Sequence, residues 1–275
     1  MTASFITRNG CRLAFHHTAV TNSNADKIST NTNPASTHLS PTSNGTLGVI
    51  FCGGFNSSMQ GLKALSLEAS CIENNISFTR FDYSGHGESD GKFTEGDIGH
   101  WFKDALFIVD HVATSDRLIV IGSSMGAWIA TLVAEQRTNR VAGLLTLAAA
   151  PDFTEKLLLA KLPEQQRVSL SQGNTIHIPN EYDDGTPYPV SPNLIEQSRK
   201  HCVLNRQIAL NIPVRLLHGT HDNDVPYDLS MQLLQAISSK DVQLTLIKQG
   251  DHRLSSAAHL QTINQCLLEL IDTSE

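Results

Sequence analysis

Cysteine is scarce and scattered. Cys11, Cys52, Cys71, Cys202 and Cys266 are five in 275 residues, an odd number with no C-x-x-C pair. That usage argues against a disulfide framework and a structural zinc site, and it fits reduced thiols. Cys52, Cys71 and Cys266 sit among apolar neighbours and read as core filler. Basic charge is also in deficit, with 20 Lys and Arg against 27 Asp and Glu and a formal net charge of −7. Phosphate affinity rests on clustered cations, so neither nucleic-acid nor anionic-membrane binding is expected. The one basic cluster, Arg199, Lys200 and Arg206, reads as a solvated helix face. No apolar run reaches the ~18 residues of a transmembrane helix, so a soluble chain is expected. What is present is ordinary: 40% hydrophobic and 17% charged residues, at a length that fits one large α/β domain or two small ones.

The N-terminus admits two readings. Residues 1–25 carry Arg8, Arg12, several Ser and Thr and no acid, which loosely resembles an organelle transit peptide. Against that, Phe5-Ile6-Thr7-Arg8 and Cys11-Arg12-Leu13-Ala14-Phe15-His16 flank Asn9-Gly10, a dipeptide whose ease at positive φ favours a two-residue hairpin turn. The hairpin is the reading adopted. Residues 21–46 are dominated by Thr, Asn, Ser and Pro and cannot bury enough apolar surface to order themselves, so a low-complexity surface loop is expected.

Beyond it, short apolar runs alternate with helical patterns, the rhythm of a mostly parallel sheet covered by helices on both faces. Strands are predicted over Leu47 to Cys52, Ile76 to Asp82, Arg117 to Ile121, Val141 to Ala148, Val214 to His218 and Val242 to Lys248. Several are Val-, Ile- and Leu-rich without alternation, as doubly buried strands are. Ile98, Trp101, Phe102, Ala105, Ile108, Val109 and Val112 recur at helical spacing and predict an apolar stripe packed on the sheet. No repeat or second core appears, so residues 1–275 are expected to form a single domain. The rhythm breaks over residues 151–211, where a leucine cluster precedes a polar stretch bearing Pro and Gly; this segment is a candidate lid or cap.

One pentapeptide carries chemistry. Gly122-Ser123-Ser124-Met125-Gly126 joins the apolar run Leu118-Ile119-Val120-Ile121 to Ala127-Trp128-Ile129-Ala130, placing a G-x-S-x-G between a buried strand and a helix. A serine hydroxyl is a poor nucleophile unless a sharp turn lifts it within reach of a base and of backbone N–H donors. Ser124 has the glycine spacing; its neighbour Ser123 lacks it. An acid and a base follow beyond later strands, Asp222 in His218-Gly219-Thr220-His221-Asp222 and His252 in Gly250-Asp251-His252-Arg253. All three sit past the carboxyl ends of predicted strands, where open α/β sheets build their sites. Asp224 and Asp251 are alternatives to Asp222. A metal at His218, His221 and Asp222 is also conceivable from the residue types, but a catalytic zinc would want a further ligand and a helical H-E-x-x-H, and no metal or cofactor is expected.

The order Ser, Asp, His, the elbow, the H-G-x-x-D-x-x-V-P segment from His218 to Pro226 and the terminal Gly250-Asp251-His252 resemble the α/β-hydrolase family. Phe81-Asp82-Tyr83-Ser84-Gly85-His86-Gly87-Glu88-Ser89 belongs to the same pattern. Within the family, Met59-Gln60-Gly61-Leu62-Lys63-Ala64, Arg80 to Gly85, Gly122 to Trp128, His201-Cys202-Val203-Leu204, Pro213 to Gly219 and Asp251-His252-Arg253 look like the palmitoyl-protein thioesterase branch that also hydrolyses acyl glucuronides. The likeness runs from about Leu47 to the C-terminal helix. It implies an α/β-hydrolase fold with an N-terminal antiparallel hairpin and a small lid insertion. It further implies Ser124 as nucleophile, His252 as general base and then acid, Asp222 as the carboxylate orienting it, and backbone N–H groups of Phe55 and Met125 as the oxyanion hole. Two departures stand out. Many relatives carry His-Gly where this chain has Gly53-Gly54, though the thioesterase branch also lacks that His, and the 21–46 insertion has no recognised counterpart.

The expected activity is a serine acyl hydrolase acting on a small-molecule or protein-bound acyl substrate, foremost a thioesterase. A general carboxylesterase, a C–C bond hydrolase, a perhydrolase and a non-catalytic ligand receptor are the alternatives. Leu157, Leu158 and Leu162 would wall an acyl chain if their segment folds over Ser124; ordinary helix packing is the equal alternative. His86 reads as structural. Eukaryotic members of the branch are mitochondrial and no convincing leader is seen, so the expectation is cytoplasmic, with the mitochondrial matrix as the alternative.

Overall fold

In a computed structural model, residues 2–20, 46–180 and 185–274 are described. Most of the expected 21–46 loop, residues 21–45, lies outside them, as do residues 181–184 of the candidate lid. The chain opens with the hairpin β1 (Ser4–Arg8) and β2 (Cys11–Thr18), in which Arg8 faces Cys11 across the turn. Asn9 and Gly10 both have positive φ, +50° and +83°, the backbone twist that a two-residue turn needs to match its strands.

Next come β3 (Leu47–Cys52), α1 (Leu62–Glu73), β4 (Ser77–Phe81), α2 (Ile98–His111), β5 (Arg117–Ser123), α3 (Met125–Gln136) and β6 (Val141–Leu147). The segment that follows contains a π-helical turn (Thr154–Leu159), α4 (Glu164–Ser171), the two-stranded ribbon β7 (Ile176–Ile178) and β8 (Tyr188–Val190), α5 (Pro192–Ser198) and a 3₁₀ turn (Arg199–His201). The chain then returns through β9 (Val214–Gly219), α6 (Asp228–Ala236), β10 (Val242–Ile247) and α7 (Ala257–Ser274). The main sheet has eight strands in the order β1-β2-β4-β3-β5-β6-β9-β10. The hairpin joins it antiparallel to β4, and every pairing from β4 to β10 is parallel.

The unalternating strands are explained by two cores. Ile50, Cys52, Leu118 and Val120 face one, while Val49, Phe51, Ile119 and Ile121 face the other. Successive side chains point to opposite faces, so a strand covered on both must be apolar throughout. The first core is closed by α2, α3 and α6, through Trp101, Ile108, Trp128 and Leu233, and the second by α1 and α7, through Leu67, Leu267 and Leu270. In α2 the predicted stripe is buried except for Phe102, which packs partly buried on the same core; Val112, also buried, follows the helix. Its first turn is capped by Asp97, whose carboxylate accepts the His100 N–H at 3.0 Å. β10 alternates instead and exposes Leu246, as an edge strand with solvent on one side does.

Candidate active site

The elbow is built by two close approaches. A Cβ on Gly122 would strike the Gly126 carbonyl and lie 2.5 Å from Ala127 Cα, and a Cβ on Gly126 would strike the carbonyl oxygens of Cys52 and Gly53. Glycine at both positions lets β5 turn into α3 against the end of β3. Between them Ser124 adopts φ +55°, ψ −120°, a conformation non-glycine residues seldom hold. Its N–H donates to the Leu147 carbonyl at 2.9 Å, and its own carbonyl accepts from Ala127 at 3.0 Å and Ala150 at 3.2 Å.

Ser124 Oγ lies 3.0 Å from His252 Nε2, and His252 Nδ1 lies 2.7 Å from Asp222 Oδ2. With Asp222 ionised, Nδ1 must carry the hydrogen, which leaves Nε2 as the acceptor for the serine hydroxyl. The side chain of Asp222 is fully buried. Burial alone would raise its carboxyl. Hydrogen bonds from His218 and His252, the attraction between the carboxylate and the His252 ring once that ring is protonated, and the Val225 N–H outweigh it and hold Asp222 well below the usual carboxylate range. Oδ1 accepts N–H groups of Asp224 at 3.0 Å and Val225 at 2.8 Å, and Oδ2 also faces His218 Nε2 at 3.0 Å. Every lone-pair direction of the carboxylate thus meets a donor.

In sequence His218 carries only a metal-ligand reading. It is wholly buried, with Nε2 also 2.9 Å from the Val225 carbonyl and Nδ1 2.7 Å from Ser230 Oγ. Facing two oxygen acceptors, Nε2 carries the hydrogen and Nδ1 accepts the Ser230 hydroxyl; His218 braces Asp222 from behind. Its burial at the end of β9 was the available signal. Of the rival acids, Asp251 accepts the Leu254 N–H at 2.9 Å and so caps its own turn. Asp224 is nearer: its carboxylate, with Asp222 and His252, forms the group of donor atoms among the described residues close enough to share an ion, all within 4.8 Å. That set differs from the His218, His221 and Asp222 considered from sequence, and two of its members are engaged in the line of hydrogen bonds to Ser124.

These residues open into a cavity of about 1190 Å³, shared by Ser124, His252, Phe55 and Met125 and walled by Phe153, Leu157, Leu158, Leu162 and Tyr188. The volume exceeds the ~300–1,000 Å³ of ordinary small-ligand pockets. The three leucines named from sequence therefore do line the space over Ser124, brought there by the π-helical turn and the chain after it. Met125 opens α3, so its N–H has no acceptor within the helix. The Gly54-Phe55 backbone passes beside the elbow, a Cβ on Gly54 falling 3.5 Å from Ser124 Cβ. The Phe55 ring packs edge-on against Phe93, Phe153 and Tyr188 at 4.8, 5.4 and 5.7 Å between centroids. Lys63, within the Met59-to-Ala64 motif, lines the same cavity and its ammonium donates to the Arg253 carbonyl, tying α1 to the loop that carries His252. Burial lowers its pKa to about 8 against the pull of Asp251.

Residues 47–181 match the family model described as serine aminopeptidase, S33. Over 225 residues the chain is 36% identical to the human "Palmitoyl-protein thioesterase ABHD10, mitochondrial", covering 82% of this chain and 73% of that protein. The structure of "Alpha/beta hydrolase domain-containing protein 10 from mouse" superposes with a TM-score of 0.82 at 31% identity over 99% of each chain. A putative hydrolase from Agrobacterium vitis S4 gives 0.84 at 29% identity over 98% of each.

Proposed function

This chain belongs to the α/β-hydrolase branch of the palmitoyl-protein thioesterases, and on that footing we propose that it is a serine hydrolase that cleaves acyl thioesters, and acyl esters with them, through an acyl-enzyme on Ser124. The observation that carries this reading is the line of hydrogen bonds from Ser124 through His252 to Asp222 at the floor of an apolar cavity. His252 Nε2 takes the proton as Ser124 Oγ attacks the carbonyl, and Asp222 stabilises the imidazolium that forms. The N–H groups of Met125 and Phe55 receive the developing oxyanion. His252 then delivers the proton to the leaving group, and in the second half it activates the water that releases the acid. A thiol leaves with a pKa of ~8.5, well below an alcohol, so a site able to expel an alkoxide expels a thiolate more readily.

Residues 151–211 act as the lid of this single domain and Leu157, Leu158 and Leu162 as the acyl wall. The relatives' mitochondrial designation favours the mitochondrial location over the cytoplasmic one. The test is hydrolysis of saturated acyl thioesters from acetyl to palmitoyl by the wild type and Ser124→Ala. We expect kcat/KM to rise with chain length and Ser124→Ala to lose at least ~10⁴-fold in kcat. A flat or acetyl-only profile contradicts the long-chain reading, and turnover surviving the substitution contradicts the acyl-enzyme.

A further inference from the structure

The peptide that presents the Phe55 N–H is held at its other end. The Gly54 carbonyl accepts the Ser57 N–H at 3.3 Å and the Ser57 hydroxyl at 2.9 Å. In a trans peptide the C=O and the following N–H point in opposite directions, so an oxygen fixed toward Ser57 turns the Phe55 hydrogen away from it. The next peptide is held as well. Asn56 N–H donates to His86 Nε2 at 3.2 Å, and His86 Nδ1 donates to the Ser84 carbonyl at 3.3 Å. Asn56 sits at φ +52°, a region that Asn tolerates better than most side chains. The His86 ring is buried, caged edge-on by Tyr83, Phe93 and Trp101 at 5.4, 5.0 and 5.0 Å between centroids. A parallel tie lies beside it, where the Asp82 carboxylate accepts Met59 N–H at 2.6 Å and Glu88 N–H at 2.9 Å.

We infer that Ser57 Oγ and His86 Nε2 are positioning residues that lock the two peptides flanking Phe55 and so aim its N–H at the substrate oxyanion. The inference rests on the acyl-enzyme reading above. Neither side chain needs to touch the reacting atoms. Released, the Gly54-Phe55 peptide can rotate and present a carbonyl oxygen where a donor is needed, replacing attraction of the oxyanion by repulsion. Acceptance of the Asn56 N–H requires an unprotonated Nε2, and burial supplies this by pushing the His86 pKa down to about 4 against the Ser84 carbonyl.

The experiment compares the full chain with Ser57→Ala, His86→Gln and His86→Asn. It reads kcat, KM, melting temperature, and the affinity of a long-chain trifluoromethyl ketone, which forms an oxyanion only when Ser124 adds to it. Ser57 is exposed, so its substitution leaves folding intact. Gln reaches an acceptor toward the position of Nε2; Asn reaches only the position of Nδ1. We expect Ser57→Ala and His86→Asn to lose about tenfold to a hundredfold in kcat, with KM little changed and ketone affinity falling in parallel, and His86→Gln to recover most of the loss. Losses below twofold, Gln and Asn behaving alike, or losses that track melting temperature rather than ketone affinity would overturn the assignment. A ketone that binds Ser124→Ala as tightly as wild type would instead overturn the acyl-enzyme reading on which it stands.

Discussion

A serine held at φ +55°, ψ −120° carries about 1–3 kcal/mol of backbone strain. Here the strain is held in place by backbone hydrogen bonds on both sides of the residue and by the crowding at Gly122 and Gly126. Removing the side chain should therefore separate stability from activity. Ser124→Gly relieves the strain and Ser124→Ala does not, so thermal denaturation should find the glycine variant more stable by about 1 kcal/mol although both are inactive. Equal stabilities would mean that the elbow stores no strain. His86 makes a second prediction. It is neutral and buried in the folded chain, with its pKa lowered by burial to about 4, against ~6.5 when unfolded. The unfolded chain therefore binds the extra proton between these values. The stabilisation is fully present above pH ~6.5, declines as pH falls, and levels off near 4, at most about 3 kcal/mol in all. His17 and His201 are lowered too, so the measurement is the difference in unfolding free energy between wild type and His86→Gln across pH 7 to 4. That difference should shrink with acid; one that stays constant would contradict the neutral, buried imidazole. Ser124, Asp222 and His252 were legible in sequence because each lies in a short segment of distinctive residues past a strand. The partners of His218 and His86 were not legible: Asp222, Val225 and Ser230 lie near His218 in sequence but meet it only through the path of the loop after β9, and Asn56 reaches His86 from a separate loop.

At the scale of elements, the strands between residues 47 and 148 were readable to within two residues because burial on both faces imposes unbroken apolar runs. The 151–211 segment was not. Its strands are three residues long, too short to display a period of two, and the leucines of 157–159 form a π-helical turn that no apolar spacing distinguishes from an α-helix. Val190, Leu194 and Val203 bury this segment in the first core, and polar bonds fasten its ends. Asp152, itself left-handed at φ +53°, accepts the N–H groups of Val203 at 2.8 Å and Leu204 at 2.9 Å, so its carboxylate clasps the two ends together. Trp128 Nε1 adds a bond from α3 to the His201 carbonyl at 2.8 Å. Asp152→Ala leaves two amides without their carboxylate and should cost about 2–4 kcal/mol. Limited proteolysis should then cut first between 154 and 201, while digestion spread evenly over the chain would contradict a locally clasped segment.

At the scale of the molecule, the sheet brings Ser124, Asp222 and His252 together because β5, β9 and β10 all run parallel and end on one side. The same architecture is matched over 99% of the mouse relative's chain, and the segment after β6 lends Phe153, Leu157 and Leu158 to the cavity that Ser124 lines. Among the described residues no helix is long and apolar enough to cross a membrane. The central claim is that this cavity works through one serine. Its most direct test is intact-mass and peptide analysis of the full chain after exposure to a fluorophosphonate probe. A single adduct on Ser124 in the wild type, and none in Ser124→Ala, is the predicted result; an adduct on Ser123, or labelling that persists in Ser124→Ala, would contradict it.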